Sequence, residues 1–116
     1  MLLPPVELSS PDLALVPGDG VFPEGLLELG KHAPQRLYAR GNVAALQVRP
    51  RIAIVGTRRA TAYGLRVTQE LAPAFARAGA CVVSGLASGI DGMAHRATLA
   101  EGGTTIAVLG TGLNRI

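Results

Sequence analysis

Residues 51–59 read Arg51-Ile52-Ala53-Ile54-Val55-Gly56-Thr57-Arg58-Arg59, a run of β-formers closed by a glycine turn. The same form recurs twice. Cys81-Val82-Val83-Ser84 closes on Gly85, and Thr105-Ile106-Ala107-Val108-Leu109 closes on Gly110. Continuous apolar runs fit strands buried on both faces, as in parallel sheets. Helical spacing fills the intervals. Over 62–78, Leu65, Leu71, Ala72, Phe75 and Ala78 fall on roughly one stripe, with Gly79 placed as a stop. Pro73 is expected to kink or split this helix. Over 90–101, Ala94 and Ala97 face inward and Gly102-Gly103 end the helix. The order β-α-β-α-β with right-handed crossovers predicts an α/β fold: a Rossmann-like parallel three-layer sheet, incomplete, with about three core strands.

Upstream of this unit the character changes. Residues 1–21 read as an acidic, irregular leader in which Pro4, Pro5, Pro11 and Pro17 break any helix. Pro23 stands where a first helical residue would, and Leu26, Leu27 and Leu29 predict a short helix ending near Gly30. Leu37-Tyr38-Ala39-Arg40 predicts a strand closed by Gly41-Asn42. The domain reading is a leader over 1–21 followed by one Rossmann-like portion over 22–116.

Composition narrows the class. The chain has 116 residues, 48% of them apolar and 16% charged, which fits one folded domain and excludes a disordered tail. A single cysteine, Cys81, excludes an internal disulfide framework and predicts a buried strand residue. No stretch is long and apolar enough to span a bilayer, and the first residues lack a basic segment. A cytoplasmic protein with no membrane partner is expected. Charge is split along the chain. Residues 1–30 hold five acids and no base, whereas all 11 basic residues lie beyond, ten of them arginine. Arginine presents a rigid fork of donors suited to phosphate, so the basic part leans towards an anionic partner.

In open parallel sheets ligands bind beyond the carboxyl ends of the strands, where all three glycine turns fall. The turn Gly56-Thr57-Arg58-Arg59 is not a dinucleotide fingerprint, because Arg58 occupies the second glycine position. A guanidinium there suggests phosphate held by side chain plus backbone; Arg58 and Arg59 as solvated turn residues is the plainer alternative. The second turn, Ser84-Gly85-Leu86-Ala87-Ser88-Gly89-Ile90-Asp91, offers several donors to a phosphate, or else is a tight strand-to-helix turn. The third is Gly110-Thr111-Gly112. Asp91 is expected to cap or hold the loop, since a carboxylate would repel an anion. His95 lies four residues on, so the two could meet on one helix face as a structural pair or an acid–base dyad. Tyr63 either stacks on a base or packs the helix. Arg49 and Arg51 lie at the opposite edge of the sheet and are expected to be solvated charge. No metal site and no cofactor are called for.

These segments resemble the DNA processing protein A family (DprA/Smf). The resemblance rests on Phe22-Pro23 followed by L-L-E-L, L-Y-A-R-G-N at 37–42, I-A-I-V-G-T-R-R-A-T-A-Y-G at 52–64, V-V-S-G-L-A-S-G-I-D-G-M-A-H at 82–95 and G-G-T-T-I-A-V-L-G-T-G-L at 102–113. It implies an extended Rossmann fold that binds single-stranded DNA in a bacterial cytoplasm. It implies protection of incoming DNA during natural transformation and loading of the recombinase RecA, with no enzymatic activity. It places Arg58 in the DNA pocket, together with Ser84, Gly85, Ala87, Ser88, Gly89 and Ile90. Asp91, His95, Tyr63 and Gly110 are then structural at the pocket. The family sheet has more strands than these motifs supply, so the chain is expected to be its N-terminal part and either to be marginal alone or to complete its sheet through another copy. The alternatives are a nucleotide or sugar-phosphate-binding Rossmann enzyme, with Asp91 and His95 as acid and base, and a truncated fragment without activity.

Overall fold

The computed structural model describes residues 12–110 and 113. The turn residues Thr111 and Gly112, and most of the expected leader, lie outside the described residues. The chain divides into two compact units, and the described residues fall into 12–47 and 48–110. That boundary differs from the one expected at 21/22.

In residues 12–47, β1 (Leu13–Leu15) pairs antiparallel with β2 (Leu37–Ala39). The stretch 12–21 is therefore not an irregular leader. Leu15 is buried, and the acids do local structural work. Asp12 forms a two-pronged ion pair with Arg40, 2.8 and 3.0 Å, next to the paired strands. The Arg40 guanidinium holds the Asp12 carboxyl below its usual range. Asp19 accepts from the backbone N–H groups of Phe22, Val16 and Val21, which lowers its pKa and closes the turn that brings Phe22 into a buried position. The predicted short helix is a 3-10 segment, Glu24–His32, broken at Gly30. Pro23 caps it from outside rather than serving as its first helical residue.

In residues 48–110, β3 (Arg51–Ala53), β4 (Cys81–Ser84) and β5 (Thr104–Ala107) form a parallel sheet in the order β3-β4-β5. β4 matches the run that announced it, whereas β3 and β5 stop short of the ends of theirs. Val55 and Val108 lie past the strand ends and are exposed. Helix α1 (Ala62–Arg77) connects β3 to β4, and α2 (Ile90–Ala100) connects β4 to β5. The two helices pack on each other and both touch β4, so they share one face of the sheet. Consecutive crossovers of one hand between neighbouring strands require this. A helix layer on the other face is not among the described residues. The α/β, Rossmann-like class stands.

Local chemistry explains the helix limits. Thr61 caps α1 by accepting from the Gly64 N–H at 3.0 Å. Gly79, at φ +85°, ends it, and the Ala80 N–H returns to the Phe75 carbonyl at 3.0 Å. Pro73 neither splits α1 nor ends it. It removes one donor to the Gln69 carbonyl, a local loss within a 16-residue helix that packs on α2 and β4. The inward stripe of α1 runs through half-buried Leu65, buried Thr68 and Ala72 and half-buried Phe75, whereas Leu71 and Ala78, expected on it, are exposed. Thr68 and Thr98 can lie in the interface because each hydroxyl donates to the carbonyl four residues back, at 2.9 and 2.7 Å. Cys81, Val82 and Ala94 are fully buried at the centre, and Ala97 faces inward as expected. Among the described residues, no helix is long and apolar enough to cross a membrane.

Candidate nucleic-acid interface

The loops after β3 and β4 are joined along the carboxyl edge of the sheet. The Ile54 N–H donates to the Val83 carbonyl and the Val108 N–H to the Ser84 carbonyl, both at 2.9 Å, so the ladders continue past the strands. The first residue of α2 then reaches back: the Ile90 N–H donates to the Thr57 carbonyl at 3.2 Å. Two glycines make this approach possible. Gly89 sits at φ +78°, and a Cβ there would strike the carbonyl oxygens of Thr57 and Arg58. A Cβ on Gly56 would lie 2.7 Å from Ile90 Cγ1. These glycines admit backbone and side chain from the neighbouring loop.

The buried polar groups beneath the loops are committed to one another. Ser84 is buried, and its hydroxyl donates to the Ile54 carbonyl of the neighbouring chain segment. Its one proton is spent within the sheet edge, so it anchors the loop that starts there. Asp91 is buried in the first turn of α2, and its Oδ1 accepts from the Gly56 N–H at 3.3 Å. Its Oδ2 occupies the space that a Cβ on Gly85 would need. A carboxylate at a helix N-terminus also meets the positive end of the dipole.

His95 is fully buried, but its partner is not Asp91. Nε2 lies 2.6 Å from the Gly85 carbonyl and Nδ1 lies 2.6 Å from Thr105 Oγ1. A carbonyl only accepts, so Nε2 carries the proton. The single proton of the Thr105 hydroxyl has two acceptors, the unprotonated Nδ1 at 2.6 Å and the Val82 carbonyl at 3.0 Å. Burial pushes the His95 pKa down, opposed by the Gly85 carbonyl and the Asp91 charge. Neither the predicted pair nor the dyad forms, because α2 turns His95 onto β5 while Asp91 faces the β3 loop. Thr105 was not anticipated as part of this assembly. A hydroxyl inside an otherwise apolar strand was its one signal.

The exposed groups are of a different kind. Arg58 and Arg59 are exposed, and neither side chain has an ion-pair partner among the described residues. Thr57 shapes their loop, its Oγ1 accepting from the Arg59 N–H at 3.2 Å. Ser88 is exposed beside them in the chain that follows β4, and Ala87 and Ile90 are half-buried. Gly110, beyond β5, has open space where a Cβ would stand. Tyr63 does not pack the helix interface: it is 68% exposed on the first turn of α1. Arg49 and Arg51 lie at the amino end of β3, away from this edge, as expected.

The sequence model of the family DNA recombination-mediator protein A matches residues 14–116. DNA processing protein DprA of Bacillus subtilis is 46% identical over 83 residues, covering 72% of this chain and 28% of its own. Protein Smf of Escherichia coli is 39% identical over 109 residues, covering 94% of this chain and 29% of its own. The X-ray structure of DNA processing protein A from Streptococcus pneumoniae matches with a TM-score of 0.79 at 37% identity, over 88% of this chain and 35% of that one. A structure addressing the single-stranded DNA binding mode of DNA processing protein A from Helicobacter pylori matches with a TM-score of 0.68 at 32% identity, over 84% of this chain and 42% of that one. The chain spans less than a third of the length of either curated relative.

Proposed function

The chain belongs to the DNA recombination-mediator protein A family, and from that premise we propose that it binds single-stranded DNA at the carboxyl edge of β3, β4 and β5. The observation that carries the reading is Arg58. Its guanidinium is exposed and free of any ion pair among the described residues, on a loop whose backbone Ile90 and Gly89 hold in place. A fixed loop presents a charge at little ordering cost when a phosphate arrives. Arg59 adds a second cation and Ser88 an exposed hydroxyl. Gly56, Thr57, Gly85, Ala87, Gly89 and Ile90 shape the surface, while Ser84, Asp91 and His95 hold it from beneath. Phosphate contacts position a strand without reading its bases, so sequence preference is modest.

The same reading includes DNA processing during natural transformation in a bacterial cytoplasm, hand-over of the strand to RecA, and self-association. It does not include catalysis. Both ring nitrogens of His95 are engaged and the ring is buried, so it offers neither acid nor base to a substrate.

Titration of a labelled single-stranded oligonucleotide at several salt concentrations tests the reading. Affinity should fall with salt, with a slope of about −0.7 per phosphate neutralised. Arg58→Ala should weaken binding to all sequences alike and flatten that slope by about 0.7. Salt-independent binding, or an Arg58→Ala variant indistinguishable from the parent, defeats it.

A further inference from the structure

Tyr63 stands five residues beyond Arg58, a separation that caps their Cα distance at about 17 Å. At about 100° per residue it falls roughly opposite Ala72, the fully buried residue of α1, so its ring points away from the helix interface. One turn further on, the Arg66 guanidinium lies 5.9 Å from the ring centroid. The guanidinium stands over one face of the phenol, and the residue as a whole is 68% exposed. Arg66 is itself exposed and has no carboxylate partner among the described residues.

The surroundings separate this ring from an ordinary surface tyrosine. Arg58 and Arg59 precede it and Arg66 follows it, all three exposed and none with an ion-pair partner among the described residues. Only four aromatic side chains occur in the chain. Phe22 is buried, Phe75 is half-buried, and Tyr38 belongs to the other compact unit. The one exposed ring of residues 48–110 thus stands between Arg58-Arg59 and Arg66, next to the loop that carries Arg58. An aromatic face beside unpaired arginines is the combination that holds single strands: bases stack on the ring while guanidinium groups meet phosphates.

We propose that Tyr63, steadied by Arg66, is a base-stacking position for the strand whose phosphate Arg58 holds. This rests on the single-stranded DNA reading above and adds a contact to a base. The face of Tyr63 opposite Arg66 takes the base. Arg66 keeps the ring in place from behind and offers its remaining donors to the adjoining phosphate. Stacking needs only a π-face, so the position tolerates any base and agrees with modest sequence preference.

Two ligands of equal length separate the contacts: an ordinary single-stranded oligonucleotide and one of abasic sugar-phosphate. In the full chain, Tyr63→Ala should lose roughly five- to 150-fold in affinity for the ordinary strand and leave abasic binding unchanged. Tyr63→Phe should keep most of the affinity. The chain has two tyrosines and no tryptophan, so Tyr38→Phe leaves Tyr63 as the reporter. Its fluorescence should be quenched by the ordinary strand and not by the abasic one. If Tyr63→Ala binds the ordinary strand like the parent while Arg58→Ala does not, stacking is overturned and the phosphate pocket survives. If the parent binds neither strand, the pocket reading fails and stacking falls with it.

Discussion

His95 shows how much a single side chain decides. Spacing alone pairs it with Asp91, four residues earlier on the same helix. In the folded chain it instead ties α2 to Thr105 on β5 and to the Gly85 carbonyl in the β4 loop. Burial lowers its pKa, so the unfolded chain takes up the proton more readily than the folded one. Stability therefore rises with pH where the two states differ. The contribution is complete above the ordinary histidine value of about 6.5 and is lost as pH falls below it. Thermal melts between pH 7.5 and 5.5 should show a falling Tm, and His95→Gln should flatten that fall. A parent profile flat over this window would refute the assignment. The i, i+4 rule states which side chains can meet, and the sheet beneath the helix decided which ones did.

At the scale of elements, the contact between the β3 loop and α2 is the informative one. Three apolar runs closed by glycine identified the strands, because burial on both faces leaves a continuous signal. Their ends were less legible: Val55 and Val108 look like strand residues but lie beyond the strand ends and are exposed. The stripe of α1 misled for a related reason. Leu71 and Ala78 are apolar yet exposed, and two threonines hold interior positions by bonding back to their own helix. The glycine turns mark the edge of the sheet where ligands bind, and Gly56 also makes room for Ile90. Gly56→Ala should destabilise by about 1–3 kcal/mol through overpacking. Combining it with Ile90→Ala should cost less than the sum of the two single changes, by at least about 0.5 kcal/mol. Urea melts of the four proteins measure this. Strict additivity would mean that the contact carries no strain.

At the scale of the whole molecule, the charge split acquires a meaning. Among the acids of the first 30 residues, Asp12, Asp19 and Glu24 bind Arg40, a turn and the Gly18 N–H within their own unit. In the second unit Arg58, Arg59 and Arg66 are exposed with no ion-pair partner among the described residues. Its described sheet is bounded by β3 and β5. Small sheets of this kind gain by pairing with another strand. Sedimentation should therefore give an average mass that rises with concentration above 11.9 kDa, the mass of one chain. A mass fixed at that value across the accessible range would count against self-association.

The sequence by itself determined the class of fold and the family. Apolar runs, helical spacing and turn residues are local signals, and the motif strings carry the family directly. Only the tertiary structure decided what the motif residues do for one another. Gly56 meets Ile90, Ser84 meets Ile54, and His95 meets Thr105, contacts between segments separated by up to 34 positions. No local periodicity encodes such a distance. It is set when packing of α1 and α2 on one face of the sheet draws the loops together. That packing buries Ser84, Asp91 and His95 and leaves Arg58, Arg59 and Tyr63 facing outward.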